Sequence, residues 1–365
     1  MQVALTVVPG GRISQAAPSK DADSSPDRIA HLAKDLSAKM QETVDEINHV
    51  NMTTRLLAMN AKIEAARAGA MGAAFSVVAG EIGVLSERTM LSTKKMIGET
   101  QDAVGELEKI SETLATRVRG TRLSDLALTN IDLIDRNLYE RSCDVRWWAT
   151  DSSAVDALSR EDEAAFSHAS ARFRQILASY TVYFDLVLCD LQGNVVANGR
   201  PDRYKSRGMN CSGAEWFKSA VATRSGEEFG FESVHASPLV GGQRILAYSC
   251  CVRRDGKPDG RPLGVLGILF NWDALAQTIV TSVPLSDSEK ESTRVCIVDR
   301  SGTILADTEN QHMARLDLLT PDILSSGKNA VIKPVQGTDC LIAHADAPGY
   351  ETYTTGWHSI IIQKR

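Results

Sequence analysis

The chain has 365 residues, a mass of 39.6 kDa and a formal net charge of −6 at pH 7, a length that allows two or three domains. The acidic excess argues against a general nucleic-acid or anionic-membrane binder. Uncharged runs do not exceed 13 residues, and a spanning helix needs about 20 apolar residues, so we expect no membrane span. Seven scattered cysteines without Cys-x-x-Cys spacing fit a reducing cytosol. These features predict a soluble, cytoplasmic protein.

Aromatic residues and prolines divide the chain into two regions. Residues 1–138 hold one aromatic residue, Phe75, and the remainder holds the other 19. Between Pro26 and Pro201 there is no proline, so long uninterrupted helices are possible there. We predict a disordered leader over 1–26, an α-helical coiled-coil hairpin over 27–120 and an α+β region over 121–365.

A heptad pattern begins at Asp27 and defines the predicted hairpin. The pattern pauses at Gly69 and Gly72 and then resumes, which predicts two antiparallel helical arms joined by a turn. Because several seam positions are small or polar, we expect two copies to pair into a homodimeric four-helix bundle. The predicted seam is Ile29, Ala33, Leu36, Met40, Thr43, Ile47, Val50, Thr54, Leu57 and Ala61 in the first arm, and Phe75, Val78, Ile82, Leu85, Thr89, Met96, Leu107, Ile110 and Leu114 in the second.

The region after residue 120 changes from helical to strand-like periodicity. A long helix is predicted over 121–180. Residues 187–198 and 296–307 are alike, each with a strand, an Asp-x-x-Gly turn and a strand, and they start 109 residues apart. This repeat predicts two similar halves in tandem, at 181–280 and 290–365. The predicted strands are Tyr183–Cys189, Val195–Ala197, Ile245–Val252, Leu263–Phe270, Val295–Val298, Thr303–Leu305, Ala330–Val335, Cys340–Ala345 and Trp357–Gln363.

The segment LLAMNAKIEAARAG, residues 56–69, resembles the signalling tip of bacterial chemoreceptors, the methyl-accepting chemotaxis proteins. The resemblance continues through Phe75–Ala79 and Ser86–Thr89, with departures at Arg55, Ala70, Ala73 and Ala74. It implies contacts with other chemoreceptor dimers, a chemotaxis histidine kinase and its adaptor protein. The residues assigned to these contacts are Asn60, Glu64, Arg67, Gly69, Phe75 and Val77. The alternative for the charged residues is a solvated helix face.

Residues 123–365 resemble a double Cache sensor, a tandem PAS-like module that binds small molecules. The similarity lies in the helix through Asn137–Trp148, both Asp-x-x-Gly turns, residues 214–220 and 263–273, and Gly356-Trp357-His358. The resemblance places Trp216, Phe217, Tyr248 and Asn271 around a ligand pocket. Amino-acid-binding members carry an Arg and an Asp where this chain has Ala214 and Asn271, so we expect a ligand other than a standard α-amino acid. The alternative for Trp216 is core packing.

No catalytic motif is found: GxSxG, HExxH and P-loop sequences are absent, and the histidines show no metal-ligand spacing. We therefore predict no catalytic residue, metal or cofactor. The predicted function is a cytoplasmic chemoreceptor-like transducer that senses a small molecule and signals through the hairpin tip to a kinase and adaptor. The alternative is a ligand-binding sensor dimer whose hairpin serves dimerisation or a partner outside chemotaxis.

Overall fold

The computed structural model describes residues 26–324 and 326–365. The predicted leader, apart from Pro26, lies outside the described residues. The helices are α1 Pro26–Arg67, a 3₁₀ turn Gly69–Gly72, α2 Ala73–Trp148, α3 Ser152–Arg160, α4 Glu163–Ser179, α5 Glu215–Val221, α6 Trp272–Thr281 and α7 Asp287–Ser292. The strands are β1 Tyr183–Asp190, β2 Val195–Asn198, β3 Gly230–Ser237, β4 Gln243–Arg253, β5 Pro262–Asn271, β6 Thr293–Val298, β7 Ile304–Asp307, β8 Lys328–Val335, β9 Thr338–Asp346 and β10 His358–Lys364.

The chain divides into two compact units, and the division falls within α2 between Arg119 and Gly120. We call the described residues 26–119 the hairpin unit and the described residues from 120 onward the sheet unit.

The two arms of the hairpin unit contact each other through small residues. The buried positions are Ala33, Val44, Ala58 and Ala65 on α1 and Ala79, Ser86, Thr93, Val104 and Ser111 on α2. The predicted seam is thus only partly right. On α1 its alternate positions, such as Ala33 and Ile47, are buried or half-buried, whereas Leu36 and Leu57 are exposed.

On α2 the whole predicted seam is exposed in the single chain. Phe75, Val78, Leu85 and Ile110 are examples. The residues of α2 that pack against α1, such as Ala79 and Ser86, lie one residue later in the chain than the predicted seam positions. One residue corresponds to a rotation of about 100° on a helix of 3.6 residues per turn. Small side chains there let the arms approach closely, and the larger apolar side chains form an uncovered stripe beside them.

A polar pair lies within the small-residue seam. Ser86 Oγ donates to Asn51 Oδ1 at 2.5 Å, and Asn51 Nδ2 donates to the Ser86 carbonyl oxygen at 2.8 Å. Ser86 is buried, so each arm satisfies the polar groups of the other at this level.

The prediction of a single helix over 121–180 was wrong, because this range contains parts of three helices. α2 ends at Trp148, and new helices start at Ser152 and Glu163. The reason is local capping: the Asp151 carboxylate accepts from Ser153 N, and the Asp162 carboxylate accepts from Ala165 N. Such N-caps favour a fresh helix start.

The sheet unit contains two five-stranded antiparallel sheets with the same strand pattern. The first has the order β2-β1-β5-β4-β3, and the second has β7-β6-β10-β9-β8. In each sheet the first hairpin carries an Asp-x-x-Gly turn, with Gly193 at φ 86° and Gly302 at φ 85°. A left-handed φ at that position suits glycine, which explains the repeat. One strand, β3, was not predicted.

One part of the described helices, Gly69–Trp148, is long and apolar enough to cross a membrane by length and composition. Its apolar section lies at the start, where Glu81 is the single charged residue between 69 and 86. Counting only fully uncharged runs missed this section. The absence of a membrane span therefore stays a prediction.

Candidate signalling tip and sensor pocket

The hairpin turn is built around two glycines. Gly69 has a φ of 59°, a region that most side chains avoid. A Cβ on Gly72 would lie 2.1 Å from the Ala65 carbonyl oxygen, so no larger residue fits there without a backbone shift. The turn is therefore tight and fixed by close backbone contact.

The six residues assigned to partner contacts all lie exposed on and beside this turn. Arg67 Nη1 pairs with Glu64 Oε1 at 2.8 Å within α1, and both side chains are largely exposed. Phe75 and Val77 are 62% and 67% exposed, and Met71, which the sequence analysis missed, is 94% exposed. Neighbouring apolar side chains that are this exposed are typical of contact sites.

Trp216 and Phe217 lie on α5 and pack onto one face of the first sheet. Their rings are perpendicular, with centroids 6.1 Å apart. A Cβ on Gly267 of β5 would lie 2.8 Å from Trp216 Cζ3, so the glycine leaves room for the indole. Both rings are almost fully buried, and this burial favours the core-packing interpretation of Trp216.

Of the other two residues of the predicted pocket, the structure separates Tyr248 from this pair, whereas Asn271 pairs with Ile245 and lies on the same face of the sheet as Trp216. Tyr248 lies on the opposite face of the sheet, because β4 alternates its side chains and Ala247 belongs with Trp216. The Asn271 side chain caps α6 by accepting from Ala274 N at 3.3 Å. The prediction that all four residues surround one pocket was wrong for Tyr248.

Two buried hydroxyls mark a second candidate position for a ligand. Tyr204 belongs to the cluster around Trp216, and Ser206 follows two residues later. The hydroxyl groups of both are buried and have no hydrogen-bond partner among the described protein atoms. Because buried hydroxyls normally have a partner, this position is suited to a bound polar molecule. The sequence carried no signal for it, since neither residue belongs to a motif.

A buried carboxylate anchors the segment that contains these hydroxyls. Asp185 accepts from Asn198 Nδ2 at 2.8 Å, Leu186 N at 2.9 Å and Arg200 N at 3.0 Å. Burial raises the pKa of Asp185 to about 6, although these hydrogen bonds oppose the shift. Asn198 Nδ2 also donates to the Tyr204 carbonyl oxygen at 3.1 Å. Asp185 thus fixes the backbone next to the candidate pocket.

The loop between β9 and β10, residues 347–357, binds to α2 through a second buried carboxylate. Asp135 accepts from Gly349 N at 2.9 Å, Thr355 N at 3.2 Å and Thr355 Oγ1 at 2.7 Å. Burial is the main cause of the raised pKa of Asp135. From the same loop, the Tyr353 hydroxyl bonds to the Tyr248 hydroxyl of β4 at 2.5 Å. This β9–β10 loop therefore connects the second sheet to both α2 and the first sheet.

A further cluster was not identified from the sequence, where the histidines showed no metal-ligand spacing. His344 and Asp346 on β9 and His358 on β10 bring three ligand-type atoms close together. Their spacing, His-x-Asp on one strand, places both side chains on the same face. That signal was present in the sequence, but the 11 residues that separate Asp346 from His358 concealed the third member.

Comparison with known proteins gives two family matches. The Cache domain family matches residues 88–365, and the methyl-accepting chemotaxis protein (MCP) signalling domain matches residues 12–139.

Curated relatives match about a quarter of the chain. Methyl-accepting chemotaxis protein I of Escherichia coli K12 is 33% identical over 111 residues, 27% of this chain and 20% of that protein. Biofilm dispersion protein BdlA of Pseudomonas aeruginosa is 42% identical over 86 residues, 24% of this chain and 19% of that protein. The chain thus aligns with about a fifth of the length of these relatives.

Solved structures match the sheet-containing part. The sensor domain of the Vibrio cholerae histidine kinase DctB superposes with a TM-score of 0.53 at 15% identity, over 68% of this chain and 98% of that one. The ligand-binding domain of the Campylobacter jejuni chemoreceptor Tlp3, in complex with 4-methylisoleucine, gives a TM-score of 0.52 at 15% identity, over 68% and 92%. At such identity the likeness shows the fold. The chain is a chemoreceptor-like transducer in which the MCP signalling match begins before the Cache match. Because the Cache match covers well over half of the residues of this chain, the chain belongs to the Cache domain family.

Proposed function

We propose that this chain is a cytoplasmic, non-enzymatic signal transducer that senses a small molecule in its sheet unit and signals through the hairpin tip to a chemotaxis histidine kinase and its adaptor protein. The observation that carries the proposal is the tip: a fixed turn displays six exposed residues that match the signalling motif. The same helix, α2, contains residues of both units, so a change in its packing is a direct route for the signal.

A homodimer is the second part of the proposal. The exposed apolar stripe on α2 and the small-residue seam beside it suit a four-helix bundle in which a second copy covers the stripe. Contacts with further chemoreceptor dimers would then involve the exposed tip residues.

A cytoplasmic location is supported by the length of the apolar section. The turn at Gly69–Gly72 interrupts it, so only 14 helical residues, 73–86, precede Glu87 and Arg88. That is about 21 Å at 1.5 Å per residue, whereas the hydrocarbon core of a bilayer is about 30 Å thick.

The tip is tested by Arg67→Glu in an adaptor pull-down with the full chain. The exposed Glu64–Arg67 pair contributes little to folding, so the melting temperature should stay near that of wild type. An uncompensated charge at a protein contact should lower the affinity for the adaptor about thirtyfold or more. Lys34→Glu, an exposed change far along α1, is the matched control and should bind normally.

The ligand pocket is tested by a thermal-shift screen of small polar metabolites, since a ligand of the folded state raises the melting temperature. Ser206→Ala should reduce the shift given by any hit. Ser359→Ala is the matched control, because Ser359 is equally buried and its hydroxyl also has no partner among the described atoms. Equal shifts in both variants would place the ligand elsewhere.

The alternative, a sensor dimer whose hairpin serves only dimerisation, is favoured by the uncovered stripe alone. It gains support if wild type and Arg67→Glu capture equal amounts of adaptor, or none, while both remain dimeric.

A further inference from the structure

We propose that His344, Asp346 and His358 form a binding site for a divalent transition-metal ion. Zn²⁺ is the ion used to test the proposal. The site lies in the second sheet, whereas the buried hydroxyls of Tyr204 and Ser206 follow a strand of the first sheet, and so it adds to the proposed function.

The geometry of the three atoms is the first reason. His344 Nε2 lies 2.9 Å from Asp346 Oδ1, His358 Nδ1 lies 2.7 Å from the same oxygen, and the two nitrogens are 3.1 Å apart. Zinc binds nitrogen and oxygen ligands at about 2.0–2.1 Å, so a tetrahedral site separates its ligand atoms by about 3.4 Å. Each separation therefore needs to widen by less than about 1 Å to admit the ion.

While Asp346 is ionised, hydrogen bonding satisfies this triangle in only one protonation state. A carboxylate oxygen only accepts, so both ring nitrogens must carry protons to bond to it. Those two N–H groups then converge on one oxygen with their nitrogens 3.1 Å apart, which crowds two donors together. If either nitrogen is unprotonated, its lone pair faces the carboxylate instead. A cation at the centre satisfies all three atoms together, because each then presents a lone pair to it.

The ligand set and its surroundings agree with a metal site. Two imidazoles and one carboxylate suit Zn²⁺ and related first-row ions. The backbone places them well: His358 is paired directly with Asp346 across the β9–β10 ladder, and His344 follows on the same face. His344 is fully buried, the His358 side chain is 14% exposed and the Asp346 side chain is 44% exposed. Solvent therefore reaches the Asp346 side, which leaves a path for the ion and coordination positions for water.

The location gives the ion a structural consequence. Asp346 and His358 stand at the two ends of the β9–β10 loop, whose Gly349 and Thr355 bind Asp135 of α2. An ion that links both ends would hold the loop closed and stabilise its contact with α2. Metal occupancy would thus bias the same helix that the proposed signal uses.

The test uses the full chain after treatment with a chelator and dialysis. Zn²⁺ is titrated by calorimetry and thermal shift, and Co²⁺ by visible absorption. We expect one ion per chain and a rise in melting temperature of roughly 5–10 °C at about a hundredfold excess over the dissociation constant. Co²⁺ should give the intense absorption bands of a four- or five-coordinate ion.

Asp346→Asn and His358→Gln should each lose at least about tenfold in affinity for Zn²⁺. His312→Gln is the matched control, because it removes another ring nitrogen that is buried and without a partner in the same part of the chain, and it should bind like wild type. Circular dichroism of both ligand variants establishes that they fold, and if one does not, the other decides. Unchanged Zn²⁺ affinity in the folded variant would overturn the proposal. So would the absence of any thermal shift, or a sulfur-to-cobalt charge-transfer band, which would assign the ion to a cysteine.

Discussion

Replacing Asp135 with alanine should destabilise the sheet unit by removing the acceptor that holds the β9–β10 loop on α2. Two backbone N–H groups, of Gly349 and Thr355, and one hydroxyl would lose their partner. Each unpaired buried donor costs about 1–3 kcal/mol. The variant also removes the cost of burying a carboxylate, a cost that shows in the raised pKa of Asp135. Because this gain offsets part of the loss, we expect the free energy of unfolding to fall by about 3 kcal/mol.

For a unit of this size about 3 kcal/mol corresponds to a fall of roughly 6–12 °C in melting temperature. The assay is thermal unfolding by circular dichroism, with hydrogen exchange at Gly349 and Thr355 as a local readout. Asp132→Ala is the control: it removes a helix-surface pair with Arg136 at 2.8 Å, which is worth under about 1 kcal/mol. Equal falls in the two variants, or unchanged exchange protection in Asp135→Ala, would refute the assignment of Asp135 as the anchor.

The raised pKa of Asp185 should make stability depend on pH. In the folded protein this pKa is about 6, above the usual value for an aspartate. The protonated side chain therefore contributes fully to stability below about pH 4, and this contribution is lost as the pH rises through 6. Relative to Asp185→Asn, wild type should therefore lose about 3 kcal/mol of unfolding free energy between pH 4 and 7 in urea titrations, and a constant difference would contradict this. Gly72→Ala should loosen the turn and increase hydrogen exchange at residues 65–75, because its Cβ collides with the Ala65 carbonyl oxygen. Gly80→Ala, with nothing near its added Cβ, should instead stabilise the helix by up to about 1 kcal/mol. Ile110→Asp should convert the proposed dimer to a monomer in light scattering without loss of helicity, and an unchanged mass would argue against the stripe as the dimer contact.

Most of the strands that the sequence predicted are well buried, although the more exposed edge strand β8 was predicted too. β5 and β6, for example, are continuous apolar runs between turn residues, and such runs identify a strand without knowledge of its neighbours. The missed strand β3 lies at a sheet edge, where Glu232 and His235 interrupt the apolar pattern. Its place depends on pairing with β4, which no local pattern reveals.

The site was harder to predict than the fold because it depends on which face each side chain takes. The two-residue period of β4 separates Ala247 from Tyr248, and applying that rule would have excluded Tyr248 from the Trp216 side. The buried hydroxyls of Tyr204 and Ser206 lie in an irregular segment whose position is set by Asp185 and Arg200. Long-range contacts of this kind have no periodic signature.

The Asn51–Ser86 pair limits how the hairpin can move. A slide of one arm past the other by a helical turn would part this pair and leave its amide and hydroxyl facing apolar or mismatched groups, at about 1–3 kcal/mol for each unpaired group. A buried polar contact of this sort fixes the register of a coiled coil. Piston-like sliding between α1 and α2 is therefore disfavoured at this level, whereas a small change in the tightness of packing that keeps both residues in the seam leaves the pair intact. Any signal that crosses this level is then expected as a change in packing tightness or rigidity, with the arms held in register.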